Sequence, residues 1–290
     1  MTNSVVNYDP ARRCDFKVED VEYRRDGDQS WLAMVYRPQG AGPFPALLDV
    51  HGGAWNNGSR KDNPAIAEGL AASGVVVVSI DFRMGGKAPY PSSLADINYA
   101  TRWLKVHAAD FNAAPATVGG LGVSSGGHLI MLSGMRPFDS RYTALPLAGA
   151  AGVDGTLAYV ISCWGVLDPY GRYLMAQERG NKELMANHER YFLTAETMQE
   201  CNLIRILQQG EKVELPPALL IQGTADEGVP KGMVENVASL YGAAGGEVEL
   251  ALFRDMPHGI AGWTAQEVTR MLERMKGFIA QRLTTAVTAG

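Results

Sequence analysis

Cysteine is scarce: the 290 residues contain three, Cys14, Cys163 and Cys201, widely spaced and odd in number. That excludes a disulfide framework and leaves no paired spacing for a zinc site, so three free thiols are expected. Basic clusters are absent too. With a net charge of -5 the chain has nothing to neutralise a phosphate backbone, and nucleic acid is not an expected partner. No stretch approaches the roughly 18 apolar residues of a membrane span. Residues 1–20 carry charges where a secretory signal would carry an apolar run, so a soluble, cytoplasmic protein without a membrane partner is expected. Internal repeats and low-complexity tracts are also missing, which excludes a solenoid or a disordered tail.

What is present suits a globular protein with a sizeable core. Hydrophobic residues make up 46% and charged residues 20% of the chain, and a single domain over 1–290 is expected, because α/β folds often exceed 200 residues as one unit. Residues 16–37 alternate in short bursts around Asp26-Gly27-Asp28, the pattern of an antiparallel hairpin at a sheet edge. Ala46–Val50 and Val75–Ile80 are continuous apolar runs of the kind buried on both faces of a sheet. Helical periodicity follows at about 62–73 and at 92–109, where Leu94, Ile97, Ala100, Trp103 and Leu104 share a face.

The alternation continues with strands near 116–122, 157–162, 217–222 and 247–253, and with helices from 125, near 230–243 and near 263–283. This order predicts a mostly parallel eight-stranded sheet with an antiparallel N-terminal edge and helices on both faces. Residues 167–212 interrupt the rhythm with helical, Met- and Tyr-containing sequence too long for an ordinary connection. They are expected to form a small helical cap over one end of the sheet.

Gly122-Val123-Ser124-Ser125-Gly126 matches G-x-S-x-G where a strand gives way to a helix, the setting in which a sharp turn exposes a nucleophilic serine. Such a turn requires tiny residues two before and two after the serine. Ser124 has Gly122 and Gly126, whereas Ser125 has Val123 on one side, so Ser124 is selected. Gly119 and Gly120 in the preceding strand point to close approach by a neighbouring element.

His51-Gly52-Gly53-Ala54-Trp55 follows the strand ending at Val50, where glycines leave backbone N–H groups facing a cavity. Acyl transfer needs such donors for the negative charge of its tetrahedral intermediate. With Ser124-Ser125-Gly126-Gly127-His128, Asp81-Phe82-Arg83, Gly223-Thr224-Ala225-Asp226 and Pro257-His258-Gly259, this loop resembles the hormone-sensitive-lipase-like serine esterases of the α/β-hydrolase superfamily and their feruloyl-esterase-like and kynurenine-formamidase-like relatives. The similarity covers most of residues 45–260. It implies an α/β-hydrolase fold, oxyanion donors in the backbone amides of Gly53, Ala54 and Ser125, and a small-molecule ester as substrate. It also implies no metal and no organic cofactor. Ala54 stands where the family has a third glycine, and the His-Gly-Gly-x-Trp form is nearer the formamidase-like branch. A homodimer is an expectation by family analogy alone.

A serine hydroxyl needs a positioned imidazole to take its proton. His51 belongs to the oxyanion loop, His107 sits on a helix, His188 lies in the cap segment, and His128 is four residues into the helix after Ser124, pointing away from the elbow. His258 remains, in a loop directly after the last strand, and it satisfies the chain order serine, acid, histidine. Asp226, leaving the apolar run Ala218–Ile221, is the choice for the acid, with Glu227 and Asp168 as alternatives. Asp81 and Asp96 fit ion-pairing or helix-start roles. Trp55 and Trp164 are candidates for pocket walls and equally for core packing.

Three functions fit these residues: hydrolysis of a small or medium carboxylic ester, hydrolysis of an aryl formamide, and a catalytically silent ligand receptor on the same fold. An oligopeptidase would need a large access-restricting domain for which the chain has no length.

Overall fold

Phe16–Asp26 (β1) and Gln29–Pro38 (β2) form the expected hairpin, and a bulge at Tyr23 breaks their register between Glu22 and Arg24. The computed structural model describes residues 6 and 8–288; residues 1–5, 7, 289 and 290 of the single domain expected over 1–290 lie outside the described residues. β2 pairs antiparallel with Val76–Ile80 (β4), and from there every pairing is parallel. The remaining strands are Ala46–Val50 (β3), Gly119–Val123 (β5), Val160–Cys163 (β6), Ala218–Gly223 (β7) and Val248–Phe253 (β8), giving the order β1-β2-β4-β3-β5-β6-β7-β8.

The continuous apolar runs have a plain cause. Side chains of a strand alternate between faces, and both faces of this sheet are covered. Val76, Val78 and Ile80 enter one core with Leu48 and Val50, while Val75 and Val77 enter the other with Leu47. The first core packs beneath Ser92–His107 (α2), Ser125–Met135 (α3) and Met233–Ala243 (α8). The second packs beneath Pro64–Ala71 (α1) and the closing helix Ala265–Thr288 (α9). Gly119 and Gly120 let neighbours approach closely: a Cβ on Gly119 would meet the Tyr159 ring at 2.3 Å, and one on Gly120 would meet Ile130 of α3 at 2.5 Å.

The chain leaves β3 for β4 on one side and returns past β3 to β5 on the other. Ligand crevices form at such reversals, outside the carboxyl ends of the strands. Here the reversal sets the loop after β3 beside the turn after β5.

Residues 167–212 fold as four short helices, Pro169–Glu178 (α4), Lys182–Phe192 (α5), Ala195–Glu200 (α6) and Leu203–Gln208 (α7). Each is started by a side chain that accepts from the first turn: Asp168 from Gly171 N, Asn181 from Leu184 N, Thr194 from Thr197 N, and Asn202 from Ile204 N and Arg205 N. A cap of this kind contributes about 1 kcal/mol, which matters for helices too short to persist alone. Among the described residues no helix is long and apolar enough to cross a membrane, and no group of His, Cys, Asp and Glu has a metal-binding arrangement.

Asp49 of β3 is buried against α1, accepting from Asn63 Nδ2 at 2.9 Å and Ser79 Oγ at 2.7 Å. Burial pushes its pKa from 3.8 up to about 6, more than those two hydrogen bonds draw it down. Its folded pKa lies above its unfolded one. The stability linked to it is therefore fully present below 3.8 and lost as pH rises through about 6. Asp49→Asn keeps the shape without the charge. Its stability relative to wild type is expected to rise by about 2–3 kcal/mol between acidic and neutral pH, read by urea denaturation across that range. A difference that does not change with pH would show that Asp49 is not the titrating group.

Candidate active site

Ser124 sits between β5 and α3 with φ 53° and ψ −121°, a conformation that costs a non-glycine residue about 1–3 kcal/mol and persists only when the surroundings fix it. They do so through three backbone hydrogen bonds: Ser124 N to Cys163 O at 2.9 Å, Val166 N to Ser124 O at 3.1 Å, and His128 N to Ser124 O at 3.3 Å. The flanking glycines are sterically required. A Cβ on Gly122 would lie 2.2 Å from Gly126 O, and one on Gly126 would lie 2.1 Å from Val50 O.

His258 Nε2 lies 2.9 Å from Ser124 Oγ, and His258 Nδ1 lies 2.8 Å from Asp226 Oδ2. Because Nδ1 faces a carboxylate it carries the proton, which leaves the Nε2 lone pair for the serine hydroxyl to donate to. Asp226 is fixed in turn: its Oδ1 accepts from Gly228 N at 2.7 Å and its Oδ2 from Gln222 Nε2 at 2.5 Å. Burial raises the Asp226 carboxyl, but the hydrogen bond and charge of His258, with Gly228 and Gln222, outweigh it and hold the group below the ordinary carboxylate range. The histidine loop is tied down by Trp263, whose Nε1 donates to Pro257 O at 3.1 Å.

The loop after β3 approaches the same hydroxyl. A Cβ on Gly52 would lie 3.1 Å from Ser124 Cβ. Among the described residues the N–H groups of Gly53 and Ala54 have no intramolecular acceptor, and Ser125, as the first residue of α3, has none within the helix. Ala54 and Trp55 take φ values of 49° and 63°, so alanine occupies the family's third glycine position at a cost of about 1–2 kcal/mol. The Ser125 side chain helps hold that shape by accepting from Trp55 N at 3.1 Å.

The other candidates fall elsewhere. Asp168 caps α4 and accepts from Asn202 Nδ2, and the Glu227 carbonyl accepts from Arg179; neither carboxylate reaches His258. Asp81 pairs with Arg60, and Asp96 with Arg83 and Arg24. His51 stacks on Phe82 and bonds Gly52 O through Nδ1. Trp164 packs against Trp263 in the core on the α9 face.

Trp55 is 1% exposed, its ring enclosed by Tyr191, Phe192 and His188 of α5 and by His128 of α3. Sequence patterning did not reveal what His128 does. Trp55 Nε1 donates to its Nδ1 at 3.3 Å and its Nε2 donates to Cys201 O at 2.9 Å, so it joins the loop after β3 to the four-helix segment. Burial lowers its pKa to about 4 and keeps it neutral. The one local signal among the supporting groups was the Asp-x-Gly spacing at Asp226 and Gly228, which suits a side chain accepting from the backbone two residues on.

Known proteins share sequence and fold with this chain. The BD-FAE family model matches residues 32–239. The chain is 29% identical over 219 residues to the esterase LipC of Mycobacterium tuberculosis, covering 72% of this chain and 52% of that protein. It is 25% identical over 226 residues to LipQ of the same organism, covering 76% and 52%. The chain thus spans about half the length of these two relatives. Among solved structures, the propionate-bound esterase Est2 of Thermogutta terrifontis superposes with a TM-score of 0.69 at 21% identity, over 89% of this chain and 91% of that one. That likeness shows a shared fold, the α/β-hydrolase fold. With 32–239 matched and the sheet, elbow and glycine loop in place, the chain belongs to the BD-FAE family.

Proposed function

We propose that this protein is a serine carboxylic-ester hydrolase with Ser124 as nucleophile, His258 as base and Asp226 as orienting acid. The observation that carries the reading is the hydrogen-bonded line Asp226–His258–Ser124, at 2.8 and 2.9 Å, with the backbone N–H groups of Gly53 and Ala54, in the loop packed against Ser124, lacking an acceptor among the described residues. As the Ser124 oxygen attacks the ester carbonyl, its proton passes to His258 Nε2. The carbonyl oxygen becomes an oxyanion that accepts from Gly53, Ala54 and Ser125 N–H. His258 then gives the proton to the departing alkoxide, leaving an acyl-serine and a free alcohol. A water loses its proton to His258 as it attacks the acyl-serine; the second oxyanion collapses, the acid leaves, and the proton returns to Ser124. Asp226 stays ionised throughout and stabilises the imidazolium. The names of the curated relatives, esterases and carboxylic ester hydrolases, support the same reading.

Helices α4–α7 serve as a cap in this reading, their apolar side chains roofing the crevice above the oxyanion loop. In this reading the Ala54 methyl and Trp55, held by the close packing of Tyr191 and Phe192, narrow the acyl side, so that a short acyl chain is preferred. Each extra buried methylene contributes about 0.8 kcal/mol only where it fits, and overpacking costs more. A panel of p-nitrophenyl esters from acetate to palmitate, run beside N-formylkynurenine and a simple anilide, is expected to peak at short acyl chains. A maximum at dodecanoate or longer would remove the narrow acyl pocket. Faster turnover of the formamide than of every ester would make the protein a formamidase, and no turnover at all would favour a silent receptor.

A further inference from the structure

Arg172 of α4 is a buried charge with little to satisfy it. The residue is 7% exposed, its Nε donates to Gly228 O at 2.8 Å, and its Nη1 is buried with no hydrogen-bond partner among the described residues. Asp226 is the carboxylate acting on it, and that group is already engaged by His258, Gln222 and Gly228. Burial lowers the Arg172 pKa to about 10, more than Asp226 raises it, so the guanidinium still carries its charge at neutral pH.

Its position gives the charge a use. Gly228 lies against the histidine: a Cβ there would be 2.9 Å from His258 Cγ. On its other side the guanidinium carbon is 5.9 Å from the centre of the Trp55 ring, directly after the oxyanion loop. Arg172 therefore bridges the two loops that flank Ser124, the loop of the acid and the loop of the oxyanion donors. A purely structural tie needs only Nε and the ring contact. Burying a further N–H of a charged group unpaired is unfavourable, and a guanidinium fork matches a carboxylate's two oxygens.

We propose that Arg172 is a specificity-determining residue that binds a carboxylate carried by the substrate, so that the preferred ester is anionic: a monoester of a dicarboxylic acid, or an ester of a hydroxy acid. The inference rests on the ester-hydrolase reading and deepens it by naming the substrate class. The oxyanion is already provided with three backbone donors, so the guanidinium addresses a second, permanent charge.

The test compares acidic esters with neutral isosteres. p-Nitrophenyl hemisuccinate against p-nitrophenyl butyrate places the carboxylate on the acyl side; 4-acetoxybenzoate against 4-acetoxybenzamide places it on the alcohol side. Wild type is expected to favour one acidic ester over its neutral partner. Arg172→Met should lower that acidic-to-neutral ratio of kcat/KM by about 10–100-fold, chiefly through KM, with Arg172→Lys intermediate. Whichever pair responds names the side of the scissile bond that carries the charge. Equal losses on acidic and neutral esters, or no wild-type preference in either pair, would overturn the proposal.

Circular dichroism and thermal melting check the folding of each variant, and Arg172→Lys retains a test should Arg172→Met not fold. Calorimetry on Ser124→Ala, with monomethyl succinate and acetoxyacetate as probes, each an ester carrying one free carboxylate, reads carboxylate binding without turnover. If no ester is hydrolysed by wild type, the hydrolase reading fails; loss of that binding on adding Arg172→Met would still support the carboxylate site, and no binding in Ser124→Ala would refute it.

Discussion

Replacing Ser124 with alanine is expected to lower turnover of a p-nitrophenyl ester about a million-fold while leaving the fold intact. The substituted residue inherits the φ of 53°, no larger group enters the elbow, and the three backbone hydrogen bonds that hold the turn involve no side-chain atom. What disappears is the atom that His258 Nε2 faces at 2.9 Å, and with it the covalent route. Residual hydrolysis would come from water attack within the same oxyanion loop, which is why such losses stop short of the uncatalysed rate. Ser125→Ala is the informative neighbour. Its backbone N–H survives, but Trp55 N loses its acceptor, so the loop loosens and activity is expected to fall only about tenfold, a buried donor left unpaired costing about 1–3 kcal/mol. Labelling with a fluorophosphonate followed by peptide mapping separates the two serines. An adduct on Ser125, or a Ser124→Ala protein with a tenth of wild-type activity, would overturn the assignment of the nucleophile.

Legibility in the sequence tracked how local each cause is. The runs at Ala46–Val50 and Val76–Ile80 were readable because a sheet covered on both faces needs apolar residues at every position. Ser124 was distinguishable from Ser125 because the elbow's sterics act two residues either way, and the 2.2 and 2.1 Å separations at Gly122 and Gly126 are those sterics made explicit. Strand edges were less readable. Residues 157–159 look like strand, yet Leu157 and Tyr159 are buried by packing against Gly120 and Gly119, and the ladder with β5 begins only at Val160.

Long-range polar contacts left almost no trace. His128 looked like an ordinary helical residue facing away from the elbow. Its two hydrogen bonds, to Trp55 and to Cys201, each span 73 residues of chain, and neither partner has a spacing that announces it. Trp55 and Trp164 were equivalent in the sequence. The first is enclosed by α5 next to the glycine loop, and the second is packed with Trp263 on the opposite face, a distinction that depends on which core each strand end enters.

Asp226→Asn is expected to lower kcat about ten-thousand-fold through the proton on His258 rather than through any displacement of it. Asp226 Oδ1 accepts from the backbone N–H of Gly228 at 2.7 Å, a donor that cannot reverse, so the asparagine carbonyl must take that place and its amide nitrogen the place of Oδ2. That nitrogen then faces His258 Nδ1 and Gln222. Gln222 can adapt by turning its own amide, because its Oε1 is buried and has no partner among the described residues. His258 can adapt only by becoming an acceptor at Nδ1, which moves its proton to Nε2 and points a donor at the Ser124 oxygen. The imidazole is then in place, neutral and unable to take the serine proton. Assays belong at neutral pH or above. Asp226 has its folded pKa below the ordinary value, so its contribution to stability is present above the unfolded pKa and lost as pH falls through the folded one, and acid conditions would mix the two effects. The measurement is kcat on the best p-nitrophenyl ester, with thermal melting to show that the variant is folded. A loss under about a hundredfold in a folded variant would mean that Asp226 does not set the tautomer of His258.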